Sequence, residues 1–506
     1  MTTSSSNRVN GGDIGGYRKK SVLGGLMKRS NTKHRLSMGF LVLLSACTAG
    51  PDYVRPTVDM PAAFKESADW KPAEPRDLQS RGNWWEMFND PLLNELEAQV
   101  NISNQNLIQA EAQFRQARAL VQSARAGYFP TLSGNVSSSR SGSSSSSNSS
   151  SNNSSSSHSS TNHSLSLDTT WEIDVWGRVR RSVEANRASA EASLGDLEAA
   201  KLSAQAELAQ NYFQLRSLDT QKRLFEETIA ALSKSLQLTK NRYALGVAAQ
   251  ADVVQAETQL KSTMATALDI GVDRAQLEHA IALLIGKPAS VFSIPRAPLP
   301  SALPVVPVGL PSALLERRPD IAAAERRVMA ANAEIGVAKS AYFPRVTLSA
   351  TGGFQSASVA DWLTVPNRFW SVGPALAATL FDGGLRRAQT DQAIAAYDGT
   401  VAAYRQTVLT GLKEVEDNVV ALRILEDESR VQEEALQAAR RSTVLATNQY
   451  KAGTVSYLDV ITTQTAALSN ERTAVNITNR RLSASIALIK ALGGGWDSET
   501  LKGRAD

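Results

Sequence analysis

The chain has 506 residues, with 54 Lys and Arg against 49 Asp and Glu, a formal charge of +5 and one cysteine. A single cysteine excludes an internal disulfide, and a length of this order admits one large folded unit or several, so the order of patterns along the chain has to decide. The positive balance does not mark a nucleic-acid binder, because it is confined to the start: residues 1–46 hold Arg8, Arg18, Lys19, Lys20, Lys28, Arg29, Lys33 and Arg35 against Asp13 alone, a local +7 that leaves −2 for the rest.

This basic stretch leads into an apolar run from Leu36 to Ala46, too short to span a bilayer as a mature helix and of the length of a secretory signal. Residues 1–26 add nothing that a signal needs, which points to Met27 as the start. The run ends in Leu44-Ser45-Ala46-Cys47, which resembles a bacterial lipobox. That likeness implies cleavage before Cys47 and acylation of the new N-terminus, an anchor of the multi-chain type and the only covalent lipid expected. An Asp after the cysteine would favour inner-membrane retention, and Thr48 stands there instead.

From residue 90 onward the chain repeats one design. Gly127-Tyr128-Phe129-Pro130 returns as Ala341-Tyr342-Phe343-Pro344, and Asn241-Arg242-Tyr243-Ala244-Leu245-Gly246-Val247 returns as Asn448-Gln449-Tyr450-Lys451-Ala452-Gly453-Thr454, with Asp252 echoed by Asp459. The period is far longer than that of solenoid repeats, so a duplicated half-protein is expected. Each half reads helix, strand pair, long helix, tight turn, helix. Helices over 90–127 and 312–341 end at Phe-Pro, where proline opposes continuation.

A Ser-rich tract over 137–164, with 19 Ser among 28 positions, is expected to form a polar loop at a hairpin tip. Beyond it, Leu165, Leu167, Thr169, Trp171, Ile173 and Val175 alternate with Ser166, Asp168, Thr170, Glu172 and Asp174, a strand with one apolar and one polar face. In the second half Val346, Leu348 and Ala350 alternate with Arg345, Thr347 and Ser349, and Trp370 to Leu380 is a weaker version that contains Pro374. Such faces suit a membrane barrel with a water-filled lumen, and equally a soluble half-buried sheet. Four strands are too few to close a membrane barrel, so a barrel requires several chains. The tracts over 177–243 and 385–450 are nearly free of proline and long enough for helices of about 100 Å each, which must pack in a bundle or coiled coil.

The expected organisation is a signal over 1–46, a lipid-anchored extension over 47–89, a first repeat over 90–287, a Pro-rich connector over 288–311, a second repeat over 312–492 and a tail over 493–506. The fold class is mainly α with a β membrane part.

These residues together resemble the TolC-like outer-membrane channel lipoproteins of resistance-nodulation-division efflux systems, the outer membrane efflux protein family of NodT type. The most specific stretch is Leu314-Leu315-Glu316-Arg317-Arg318-Pro319-Asp320-Ile321, continued through Ala324-Glu325 and Ala330-Ala331-Asn332-Ala333 to Tyr342-Phe343-Pro344. Trp84-Trp85, Trp171-Glu172-Ile173-Asp174-Val175-Trp176-Gly177 and Leu380-Phe381-Asp382-Gly383-Gly384 support it. The resemblance implies a homotrimer in the outer membrane, four strands per protomer making one twelve-stranded barrel above a helical barrel that crosses the periplasm. It implies a passive exit duct for small molecules, paired with a periplasmic adaptor and an inner-membrane pump of the resistance-nodulation-division class.

By the same resemblance the turns at Tyr243, Gly246 and Val247 and at Tyr450, Gly453 and Thr454 are the tips that meet the adaptor, and Asp459 lies on an acidic gate ring, with Asp252 a further candidate. The second gate acid is absent, Thr462 standing in its place. Asp459 can equally cap its own helix. Rival readings are a duct for protein secretion and a structural trimeric coiled-coil lipoprotein or adhesin, the latter weakened by amphipathic strand pairs in both halves. The chain is not expected to be an enzyme or to hold a cofactor or metal: His34, His158, His163 and His279 show no ligand or triad spacing, and the glycines form no phosphate loop.

Overall fold

In a computed structural model of the chain, residues 48–65, 83–144, 157–300, 304 and 317–496 are described. The chain divides into two units, Met1–Cys47 and Thr48–Asp506. The signal, Met27 and Cys47 belong to the first and lie outside the described residues, and the described helices and strands belong to the second.

Helix α1 (Pro91–Ser103) starts where Asp90 accepts hydrogen bonds from the Leu92 and Leu93 amides at 3.0 and 3.2 Å, with proline at a first-turn position where its missing N–H costs nothing. The helix expected over 90–127 is two helices. Asn104 breaks it, its side-chain oxygen capping α2 (Gln105–Ala126) through the Asn106 and Leu107 amides, while its amide nitrogen donates to the Leu284 carbonyl at 2.7 Å. Two long helices, α3 (Arg178–Ala244) and α6 (Leu385–Ala452), each pair with a following helix, α4 (Gln250–Leu284) and α7 (Tyr457–Ala491). Helix α5 (Pro319–Ser340) packs against both α3 and α6 and joins the two halves. At 67 and 68 residues, α3 and α6 reach about 100 Å.

Strands β1 (Thr131–Ser144), β2 (Ser157–Glu172), β3 (Arg345–Ser356) and β4 (Arg368–Ala377) form one antiparallel sheet in chain order, with β1 and β4 as open edges. Pro374, which lacks an N–H, is confined to the edge strand β4. The Ser-rich tract departs from expectation: residues 137–144 and 157–164 are strand, not loop. Serine hydroxyls satisfy one another across the pair, Ser137 with Ser164 at 2.8 Å and Ser141 with Ser160 at 2.9 Å, and the backbone ladder does not depend on apolar side chains. Positions 145–156 lie outside the described residues.

The largest core gathers Trp84, Trp85, Leu93, Tyr212, Phe213, Ile281, Ile321, Tyr404 and Ile486 at mid-length of the long helices. A second core joins Leu232, Leu236, Ala256, Leu260, Tyr450, Tyr457, Val460 and Ile461 at their far end, so α3–α4 and α6–α7 are fastened twice. The extended segment from Thr48 runs along this body, with Ala49 donating to the Trp176 carbonyl at 3.0 Å, Asp52 bonding Arg181 at 2.8 Å and Arg55 bonding Glu325 at 2.7 Å before Phe64 enters the core.

Candidate functional site

The sheet has two chemically opposite faces. Register places Leu132, Gly134 and Val136 beside Thr169, Leu167 and Leu165, these beside Ala350, Gly352 and Phe354, and these beside Val372, Trp370 and Arg368. Side chains alternate along each strand, so these residues share a face, and it is bare: Leu132 is 71 % exposed, Val136 70 %, Trp370 75 % and Leu376 70 %. The other face carries Ser133, Asn135, Ser166, Thr347, Ser349 and Thr351 around Asp168, whose carboxylate accepts from Asn135 at 2.8 Å, Ser166 at 2.7 Å and Thr351 at 2.8 Å. From Val346 to Phe354 the apolar face runs about 26 Å along the strand, close to the length with which a tilted strand crosses the hydrocarbon layer of a membrane.

Aromatic residues mark both ends of that band. Near the helices Trp176 stacks on Phe343 with ring centroids 4.8 Å apart and donates to the Pro344 carbonyl at 2.7 Å, Trp171 donates to the Tyr128 carbonyl at 3.0 Å, and Phe129 and Tyr342 are exposed. At the far end stand Phe354, Trp362 and Trp370, Trp362 donating to the Phe354 carbonyl and its ring lying 6.0 Å from that of His163. Two aromatic girdles around an apolar band are what amphipathic rings adopt at membrane interfaces. Among the described residues no helix is long and apolar enough to cross a membrane.

The chain turns from sheet to long helix in the same way in both halves. Gly177 (φ 79°) and Gly384 (φ 94°) take left-handed conformations, and the preceding acids receive amides at the helix starts: Asp174 from Val179 and Arg180 at 3.0 and 2.8 Å, Asp382 from the N-cap Gly384 and from Arg386 at 3.0 and 3.3 Å. The Arg386 guanidinium and the Gly384 amide hold the Asp382 carboxyl below the usual carboxylate range. This is the geometry behind the two Trp-Gly and Asp-Gly-Gly motifs.

At the opposite end both long helices stop with the same cap. Gly246 (φ 73°) donates to the Tyr243 carbonyl and Val247 to that of Arg242, both at 2.9 Å, while Gly453 (φ 77°) donates to Tyr450 and Thr454 to Gln449, both at 3.0 Å. Asp252 accepts from the Ala249 amide at 3.3 Å, and Asp459 from the Ser456 amide and hydroxyl at 3.0 and 2.7 Å, so each acid caps its own helix. Asp459 and Thr462 share an exposed face, Thr462 bonding back to the Leu458 carbonyl; Asp252 is half-buried. Tyr243, Gly246, Val247, Gly453 and Thr454 are accessible or nearly so, but Tyr450 is 4 % exposed and faces its own protomer.

What holds Tyr450 is a residue that the repeat conceals. Arg242 donates to the Tyr450 carbonyl at 2.9 Å and to that of Lys451 at 3.3 Å, and its guanidinium lies 4.7 Å from the Tyr450 ring centre. Tyr457, at the start of α7, and Ser235 share a hydroxyl contact at 3.1 Å, so the tip of α3 is latched to α6 through Arg242 and to α7 through Ser235. Arg242 aligns with Gln449 in the second half, and a lone arginine on a helix gives no sign of a partner more than 200 residues away.

Arg317-Arg318-Pro319-Asp320 lies far from both ends. Arg318 is 6 % exposed and binds Asp320 at 2.7 and 3.0 Å, Glu414 at 2.6 Å and the Ala491 carbonyl at 3.2 Å, joining the start of α5 to α6 and to the end of α7. Burial opposes its charge, but Asp320 and Glu414 outweigh that and hold it above the ordinary arginine range.

A family profile described as "Outer membrane efflux protein" matches residues 97–287 and 310–494. The chain is 30 % identical over 461 residues to the pyoverdine export outer membrane protein OpmQ of Pseudomonas aeruginosa, a match covering 90 % of this chain and 96 % of that protein. It is likewise 30 % identical over 472 residues to the toluene efflux pump outer membrane protein TtgI of Pseudomonas putida, covering 91 % and 98 %. Among solved structures, the outer-membrane channel OprN superposes with a TM-score of 0.81 at 31 % identity, covering 89 % of this chain and all of that one. The open state of the MtrE channel of Neisseria gonorrhoeae does so at 0.75 and 26 %, covering 89 % and 99 %.

Proposed function

The chain belongs to the outer membrane efflux protein family, and from that membership we propose that three copies join their sheets edge to edge into one twelve-stranded barrel that forms the mouth of an efflux duct. That the protein is the outer-membrane duct of a resistance-nodulation-division efflux system, and not an enzyme, follows from its family. The observation that carries the trimer is the two-faced sheet: its strands are long enough to cross the hydrocarbon layer of a membrane, it is apolar on one side and polar on the other, and both β1 and β4 leave an edge of unpaired backbone. Lipid satisfies no such edge, so four strands cannot stand alone in a membrane. Three sheets give twelve strands, enough to enclose water, with Asp168 and its serine and threonine neighbours facing the lumen.

The long helices then continue the wall into the periplasm. Uncovered apolar side chains on α4 and α6, among them Leu268, Val272, Leu409, Ile424 and Val431, are the surface that neighbouring copies would bury. Tyr243, Gly246, Val247, Gly453 and Thr454 would offer the tip surface to a periplasmic adaptor, which couples the duct to the inner-membrane pump. Asp459 would narrow the tip by bringing three carboxylates together, with Thr462 beside it in place of a second acid and Asp252 further out on α4. Cys47 would carry the acyl chains: Thr48, the next residue, packs against Gly177 at the girdle nearest the helices, the level of the inner leaflet.

The mass of the detergent-extracted mature protein tests the assembly. Three chains per particle, bearing the mass of acyl groups that Cys47→Ala removes, is the expected result. A monodisperse monomer that inserts into vesicles would overturn the trimeric barrel.

A further inference from the structure

The apolar face of the sheet is not evenly filled. Gly352 stands between Leu167 on β2 and Trp370 on β4, and the three positions are in register across the sheet. A Cβ built on Gly352 would find nothing nearer than the Phe369 carbonyl at 3.9 Å and the Trp370 Cβ at 4.0 Å, and the backbone there is not left-handed, so neither space nor conformation demands glycine. The missing side chain leaves an apolar groove lined by Leu165, Leu167, Gly352, Phe354, Arg368 and Trp370. All six belong to β2, β3 and β4, so the groove lies within one protomer.

One end of this groove is charged. Arg368 opens β4 at the end of the sheet away from the helices, pairs in register with Phe354 and is exposed, and its guanidinium has no ion pair or hydrogen bond among the described residues. A bare guanidinium on the lipid-facing side is tolerated only near the headgroups, where it can fork onto a phosphate. The groove floor runs from it toward the bilayer centre with the indole of Trp370 as one wall, a shape that takes an acyl chain below a phosphate.

We propose that this groove is a binding site for the phosphorylated glycolipid of the outer leaflet, one acyl chain lying over Gly352 and its phosphate on Arg368. The proposal rests on the reading of the sheet as membrane wall. In that reading Arg368 reaches the outer leaflet, where the phosphorylated glycolipid, not glycerophospholipid, is the abundant anion.

The test is native mass spectrometry of the delipidated full-length mature protein titrated with lipid A or, in parallel, with phosphatidylglycerol. Wild-type protein should retain lipid A in preference to phosphatidylglycerol. Gly352→Leu, which fills the floor, and Arg368→Gln, which removes the charge, should each lower lipid A retention about tenfold. Equal lipid A retention by all three proteins overturns the groove, and equal retention of phosphatidylglycerol by the wild type overturns the glycolipid assignment. Particle mass and channel conductance are recorded on the same samples: a wild type that is neither trimeric nor conducting sinks the barrel reading itself, whereas trimeric, conducting variants with unchanged lipid A sink only this site.

Discussion

Glu97 lies on the inner face of α1, fully buried, and neither carboxylate oxygen has a hydrogen-bond partner among the described residues. Burial alone pushes its pKa up to about 9, so it folds as the neutral acid. An unfolded chain ionises this group near its ordinary value, and the folded one does so only near 9. Between those limits the folded state binds the extra proton, and stability falls as pH rises. Glu97→Gln should therefore stabilise the protein at pH 7 by roughly 1–3 kcal/mol and flatten the decline in melting temperature between pH 5 and 9. Thermal unfolding across that range checks it; an unchanged slope would mean that Glu97 is ionised in the folded state. Nothing in the sequence marks this position, since a glutamate among leucines on a helix reads as one solvated turn. Arg318 is the opposite case. Its motif stands out in the sequence, yet only the fold shows that it ties three helices together through Asp320, Glu414 and the Ala491 carbonyl. Arg318→Lys keeps the charge and loses the fork, so it should lower the melting temperature while leaving tip conductance unchanged.

At the scale of elements, helices and strands are legible where periodicity is strong. The two long helices, the Phe-Pro stops, the alternation through Leu165 to Trp171 and the paired glycine turns can all be read along the chain. The Ser-rich strands cannot, because a ladder supported by serine hydroxyls shows no apolar alternation. Nor can the anchoring of the break at Asn104, whose side-chain amide donates to the Leu284 carbonyl 180 residues away. A similar distance hides Arg242. The tip turns are legible as turns from Gly246 and Gly453, but which residues fasten one to the other is a tertiary fact. Asp459 illustrates two roles for one side chain: it caps α7 through Ser456 and remains exposed beside Thr462. In the proposed trimer, Asp459→Ala should raise the leak of the closed duct and reduce its preference for cations, since three carboxylates would be removed at once. Planar-bilayer recordings with closed-state conductance and selectivity unchanged would leave Asp459 as a helix cap alone.

For the whole molecule, the duplicated sequence becomes two hairpins of long helices under one four-stranded sheet. The sheet cannot satisfy its own edges in lipid, and the two hairpins are latched to each other at their tips through Arg242 and Tyr450. In the proposed trimer, three such protomers make a duct that is closed at the end where its helices turn and wide at the end where its sheet meets lipid. The most direct test is the single-channel conductance of the detergent-purified mature protein in a planar bilayer, compared between wild type and Arg242→Ala. A small wild-type conductance that rises severalfold when the latch is cut is the predicted result. A protein that inserts but conducts no ions in either form would contradict the duct, leaving a lipid-associated bundle of helices with no passage through it.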